Sequence, residues 1–175
     1  DCVVIVEGEP ARWTGKEWSE GSDVYKRKHL QWLGSPRWSR HHDRMAGMGA
    51  LVSAGGRVFY VMDEGSRVSI QLPARWMLVA RDAFNGVVLW KRPITKWIDQ
   101  MRRFRSGPAE MAFRLVAKDD RVYVTLGLEA PVSILDAATG KTLATCENTK
   151  QARQIMRLGD KLIIMVDTAP IMTAQ

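Results

Sequence analysis

Three histidines, two cysteines and a few well-placed carboxylates are the residues of this 175-residue chain whose chemistry could matter. The densest group is His41-His42-Asp43, with His29 upstream. Imidazole and carboxylate together bind zinc or move protons, so this triplet is the first place to look for a metal or a general base. Its spacing argues against both. Adjacent residues of a strand point to opposite faces, so His41 and His42 do not share one ion. His41 and Asp43 can share a face, and His29 joins them only if the intervening loop folds back. Three protein ligands are the usual minimum for zinc. The triplet therefore reads first as imidazoles hydrogen-bonded among Trp and Arg, and no metal is expected; His41, Asp43 and His29 stand as the only metal candidates. Cys2 and Cys146 exclude a zinc cluster or a Cys-x-x-Cys motif by count and spacing and read as small buried hydrophobes, their pairing left open. No P-loop, Gly-x-Ser-x-Gly or His-Glu-x-x-His occurs, and no catalytic residue is assigned.

The other carboxylates of interest are Asp82 and Asp136, and they belong to a repeat. Asp82-Ala83-Phe84-Asn85-Gly86 and Asp136-Ala137-Ala138-Thr139-Gly140 are two versions of one segment. Each is preceded by a shared unit: Leu51-Val52 leading to Gly56-Arg57-Val58-Phe59-Tyr60, and Leu115-Val116 leading to Asp120-Arg121-Val122-Tyr123-Val124. A third partial copy runs from Ile155-Met156 to Asp160-Lys161-Leu162-Ile163-Ile164. Leu115 to Ile155 is 40 residues; Leu51 to Leu115 is 64, with insertions of 10 and 14 accounting for the difference. A repeat of this length decides the fold class before any single residue is considered.

Within one period the sequence predicts four short strands, in the second copy at about 114–117, 121–126, 132–136 and 141–146. In the Asp-Ala-x-x-Gly pieces, Asp82 or Asp136 can bond backbone two or three residues on, and Gly86 or Gly140 can take a positive φ at no steric cost. These four are structural turn residues and not bases. Four antiparallel strands per unit of about 40 residues make the blade of a β-propeller.

At these residues the chain resembles the quinoprotein-like (PQQ-like) β-propeller repeat family, whose blades run from a Gly/Asp-x-Val-Tyr-Val strand to Leu-Asp-Ala-x-Thr-Gly-x-x-Leu-Trp. The resemblance covers residues 50–167; the first copy keeps the closing Trp as Trp90 and the second has Ala144 there. It implies a propeller, and a periplasmic or extracellular location. It does not imply an activity, since many members bind no quinone. Catalytic members pair PQQ with calcium or a lanthanide, a general-base Asp and often adjacent cysteines. No Cys-Cys is present here, and no cofactor is expected.

The net charge of +7 is unevenly placed. Residues 26–44 carry six basic side chains, among them Arg37, Arg40 and Arg44, against Asp43; residues 91–105 carry six, among them Lys96, Arg102, Arg103 and Arg105, against Asp99. The second stretch reads as a helix over 94–105, inserted between blades. Pro93 would start it, and Ile94, Trp97, Ile98, Met101 and Phe104 would form its apolar face. The first lies in residues 10–49, which fit no blade and hold Trp13, Trp18, Trp32 and Trp38. Either these tryptophans pin the segment onto a blade and its charges are solvated, or Trp and Arg interleave to bind a polyanion such as nucleic acid or acidic polysaccharide. Arg37, Trp38, Arg40, Arg44, Lys96, Arg102, Arg103 and Arg105 are the candidate interaction surface.

The sequence thus predicts an all-β chain in two parts. Residues 1–49 form an N-terminal strand at 2–6 plus the Trp-rich basic insertion. Residues 50–175 form blades at 50–91 and 114–147 and a partial one at 153–167. No apolar run approaches the roughly 20 residues of a membrane-spanning helix. Because two and a half blades do not close a ring, further blades from the same or another chain are expected against residues 2–6 and 153–167. The expected role is a non-enzymatic scaffold or protein-interaction module. A PQQ-dependent oxidoreductase with its ligands elsewhere and a polyanion-binding module are the alternatives.

Overall fold

The computed structural model describes residues 32–34, 48–66, 68, 72–95, 97 and 109–166. Their fold is all-β. The first sheet contains β1 (Met48–Ala54), β2 (Arg57–Asp63), β3 (Trp76–Asp82) and β4 (Val88–Pro93). The second contains β5 (Leu115–Lys118), β6 (Arg121–Thr125), β7 (Val132–Asp136) and β8 (Thr142–Cys146), and the third is the hairpin β9 (Ala152–Leu158) and β10 (Lys161–Val166). All pairings between these strands are antiparallel and each sheet keeps chain order, a meander joined by tight turns except at the longer β2–β3 and β6–β7 connections. Helical structure among the described residues is limited to two 3-10 segments, Ala109–Arg114 and Glu147–Thr149.

The turns explain the meander. Gly55 and Gly56 join β1 to β2 with φ of 55° and 71°, the double positive-φ combination whose twist matches a two-residue hairpin. Asp119 (φ 53°) and Gly159 (φ 55°) begin the corresponding turns of the next two sheets. Asp tolerates this backbone better than most side chains, so the position need not be Gly. The last two strands of both complete sheets slip register at matching places, between Ala80 and Arg81 and between Ile134 and Leu135. The two four-stranded sheets therefore match even in this irregularity.

Alternation along the strands decides how the sheets stack. In β2, Phe59 and Val61 face one side while Val58, Tyr60 and Met62 face the other, and all five are buried. A strand apolar on both faces must be covered on both. Phe59, Val61, Leu78 and Ala80 pack with Leu115, Val122, Val124, Leu135 and Ala137 of the second sheet. The opposite face of that sheet, with Tyr123 and Val132, packs with Ala152 and Ile155 of the third, joined by Leu162 and Ile164. Each fully buried large aliphatic or aromatic side chain contributes about 1.5–3 kcal/mol, so these two interfaces hold the sheets together. The leading strands touch in sequence, β1 with β5 and β5 with β9.

One expectation is corrected. The helix over 94–105 does not begin at Pro93, which is the last residue of β4. Ile94 donates its backbone N–H to Trp76 O at 3.0 Å, and Thr95 forms a parallel bridge to Gly127. Sheet pairing has captured the residues that Pro93 and the apolar spacing assigned to a first helical turn. Ile94 and Trp97 are nonetheless buried in the core between the first two sheets. Residue 96 and residues 98–105 lie outside the described residues, as do residues 2–6.

Candidate functional site

The polar side chains with the most determined geometry gather at the two Asp-Ala-x-x-Gly segments, which connect β3 to β4 and β7 to β8. Asp82 Oδ1 accepts from the backbone N–H of Phe84 and Asn85 at 2.9 and 3.0 Å. Asp136 Oδ1 accepts from the Thr139 N–H and the Thr139 hydroxyl, each at 2.7 Å. In both, the glycine N–H returns to the aspartate carbonyl, at 3.0 Å for Gly86 and 2.8 Å for Gly140, with φ of 72° and 70°. The Thr139 hydroxyl, and then the Thr139 amide, hold the Asp136 carboxyl below its ordinary pKa against the opposing effect of desolvation, with lesser help from the Ala138 amide and the Arg57 charge. These carboxylates hold turns.

Each turn also receives a tryptophan from outside its own sheet. Trp90, on β4, donates Nε1–H to Ala137 O at 3.0 Å. A Cβ at Gly140 would lie 2.6 Å from its Cδ2. Trp32 repeats this on the first sheet, donating to Ala83 O at 2.9 Å, with a Cβ at Gly86 falling 2.5 Å from its Cδ2. The glycine thus supplies both the positive φ and the space for an indole ring. A guanidinium completes each site. Arg92 Nη1 donates to Gly140 O and Arg81 Nη1 to Gly86 O, both at 2.6 Å. Arg92 comes from the sheet that sends the Trp, whereas Arg81 belongs to the sheet that receives it. Arg81 also donates from Nε to the Tyr60 hydroxyl at 2.7 Å and lies 5.8 Å over the Trp32 ring, a cation–π distance.

At the opposite strand ends, Asp63 closes β2 and is 4% exposed. Its Oδ1 accepts from Gly65 N–H at 2.8 Å and from Arg75 N–H at 2.7 Å, pinning both ends of the β2–β3 connection. Charge-assisted bonds to backbone amides make burial of a carboxylate tolerable. The turn side of the sheets is tied by an Arg57–Asp120 contact of 3.4 Å between sheets one and two, and by Lys118 Nζ donating to Gly159 O at 3.2 Å between two and three.

The sequence-derived site residues divide sharply. Asp82, Gly86, Asp136 and Gly140 occupy equivalent turns. His29, His41 and Asp43 lie outside the described residues, as do Arg37, Trp38, Arg40, Arg44, Lys96, Arg102, Arg103, Arg105 and Cys2. Cys146 is a half-buried free thiol beside the core between sheets two and three. No group of three or more potential metal ligands occurs among the described residues. Sequence reasoning missed Arg81, Arg92 and Asp63; the docking of Trp32 agrees with the reading in which the tryptophans of residues 10–49 pin that segment onto a blade, though that reading named no acceptor for it. A signal for the acceptor existed: Trp32 stands 51 residues before Ala83, and Trp90 47 before Ala137. No protein-family model matches the chain, and no curated protein matches it.

Proposed function

We propose that this chain is part of a β-propeller of the quinoprotein-like type and serves as a non-enzymatic scaffold, its rigid sheets carrying loops that contact a protein partner. The observation that carries the reading is the docking of Trp90 on the Gly140 turn of the following sheet, repeated by Trp32 on Gly86. Such a contact ties one four-stranded unit to the next, and the successive contacts of β1, β5 and β9 fit units arranged around a common axis. Support for a scaffold comes from how the polar groups are used. The carboxylates of Asp82, Asp136 and Asp63 bind backbone amides, and Arg81 and Arg92 bind glycine carbonyls. Groups committed to the protein's own backbone are not available to a substrate.

A further blade, of this polypeptide or another, is the partner that the reading implies. Met156 and Ile163 occupy in the third sheet the places of Val116 and Tyr123 in the second, where they face the next unit. A periplasmic or extracellular setting follows only from the family resemblance.

Two binding measurements test the scaffold reading against its alternatives. Titration with PQQ and calcium should leave the quinone absorbance unchanged; a saturable shift would favour the oxidoreductase. Elution from heparin should occur at the same salt concentration as from a plain sulfonate exchanger. Markedly later elution from heparin, with affinity falling steeply in salt, would favour a polyanion-binding module.

A further inference from the structure

Two asparagines occur in the chain, Asn85 and Asn148. Both are exposed, but the residues that follow them differ. Asn148 precedes Thr149, whose β-branched side chain crowds the peptide between them. Asn85 precedes Gly86, which has no side chain to shield its backbone nitrogen. An asparagine amide is a thermolabile acyl group, and the backbone nitrogen of the next residue is the nucleophile within its reach.

The β3–β4 turn presents Asn85 in a reactive arrangement. Val87 N–H donates to Asn85 Oδ1 at 2.9 Å. This bond keeps the amide against the backbone and sets a donor on the oxygen where negative charge develops when Cγ is attacked. Two contacts restrain the reaction: Gly86 N–H donates to Asp82 O at 3.0 Å, and Trp32 lies against Gly86. Both sit at a turn whose tip, Phe84-Asn85, is exposed, and exposed turns open locally at low free energy. The matching turn of the second sheet has the same plan without the chemistry. There Thr139 stands in the place of Asn85, its hydroxyl accepting from Lys141 N–H at 3.4 Å.

We propose that Asn85-Gly86 is a site of self-modification through a cyclic imide, and that its isoaspartate product releases Trp32 from the first sheet. The Gly86 nitrogen, having given its proton to solvent base, bonds to Asn85 Cγ. The Cγ–Nδ2 bond breaks, and Nδ2 takes a proton from water and leaves as ammonia. A second water opens the imide at either carbonyl, giving aspartate or isoaspartate at position 85. In isoaspartate the chain runs through Cβ, which adds one backbone atom before Gly86. Gly86 then loses its bond to Asp82 O and its place beneath the indole, where even a Cβ would fall 2.5 Å from Cδ2. The bond from Trp32 Nε1–H to Ala83 O goes with it.

Incubation of the folded, unaltered 175-residue chain in mildly alkaline buffer tests this, read by peptide mapping and by an isoaspartate methylation assay. Position 85 should convert at least ~10-fold faster than Asn148, with isoaspartate among the products. Asn85→Thr, which installs the residue of the second turn, should abolish methyl acceptance. In the separated isoaspartate form, the Trp32 indole N–H should exchange at least ~10-fold faster than in the starting chain. An intact asparagine at 85, equal conversion of the two asparagines, or aspartate without isoaspartate would overturn the imide route. An isoaspartate form whose Trp32 indole stays protected would overturn the release.

Discussion

Trp90 fills the space where residue 140 of the next sheet would carry a side chain: a Cβ there would meet Cδ2, Cε3 and Cε2 of the indole at 2.6, 2.7 and 3.1 Å. The same glycine adopts φ 70° and exposes its carbonyl to Arg92, so one residue without a side chain satisfies a turn, a ring and a guanidinium at once.

Gly140→Ala and Gly159→Ala form a matched pair. Both positions have positive φ, 70° and 55°, but nothing lies within 4 Å of a Cβ at Gly159. Gly159→Ala should cost only the left-handed backbone penalty, about 1–2 kcal/mol. Gly140→Ala adds displacement of Trp90 and should cost about 2–4 kcal/mol. Urea unfolding with unchanged m-values reads the difference; equal losses would mean that the indole contact contributes nothing.

Trp90→Phe removes the donor to Ala137 O while keeping an aromatic ring, and should cost about 1–2 kcal/mol. In a Trp90→Ala background, Gly140→Ala should lose most of its extra penalty because the ring is gone. A double-mutant cycle measures that coupling, and strict additivity would contradict the docking.

Asp63→Ala leaves two backbone amides of the β2–β3 connection without their carboxylate. The expected loss is about 2–3 kcal/mol, with hydrogen exchange accelerated at Gly65 and Arg75. Asp63→Asn keeps an acceptor and should recover part of it.

For Asp136 the folded-state pKa lies below the unfolded one. A carboxylate shifted this way binds its proton more readily when unfolded, so its contribution to stability is present above the unfolded pKa. It is lost as pH falls from there through the lower folded value. Thr139→Val deletes the hydroxyl that is the largest cause of the shift, and should move the Asp136 carboxyl titration, followed by NMR, back upward. An unchanged titration would show that the Thr139 hydroxyl is not the dominant partner.

Some of this architecture could be read from residues alone. The strand at 132–136 coincides with β7, and the two Asp-Ala-x-x-Gly segments sit at equivalent turns because their chemistry is local. An Asp oxygen reaches amides two or three residues away, and Gly takes the positive φ. Period-two alternation of Val, Ile, Leu and Tyr likewise needs no knowledge of neighbours. The 3-10 segment Ala109–Arg114 had no such signature, and the histidine and basic-surface candidates fall outside the described residues.

What the sequence determined by itself was therefore the all-β class, its strands and its turns. The tertiary structure decided which side chains those turns receive. Trp32 and Trp90 meet backbone 51 and 47 residues away, in contacts that no local propensity encodes. The same holds where a local preference loses. Pro93 and the apolar spacing beyond it favour a helix, yet the Ile94 N–H has a sheet partner in Trp76 O and Thr95 has one in Gly127. A buried backbone amide goes to whichever acceptor the packed sheets bring within reach, and only the assembled sheets determine which acceptor that is.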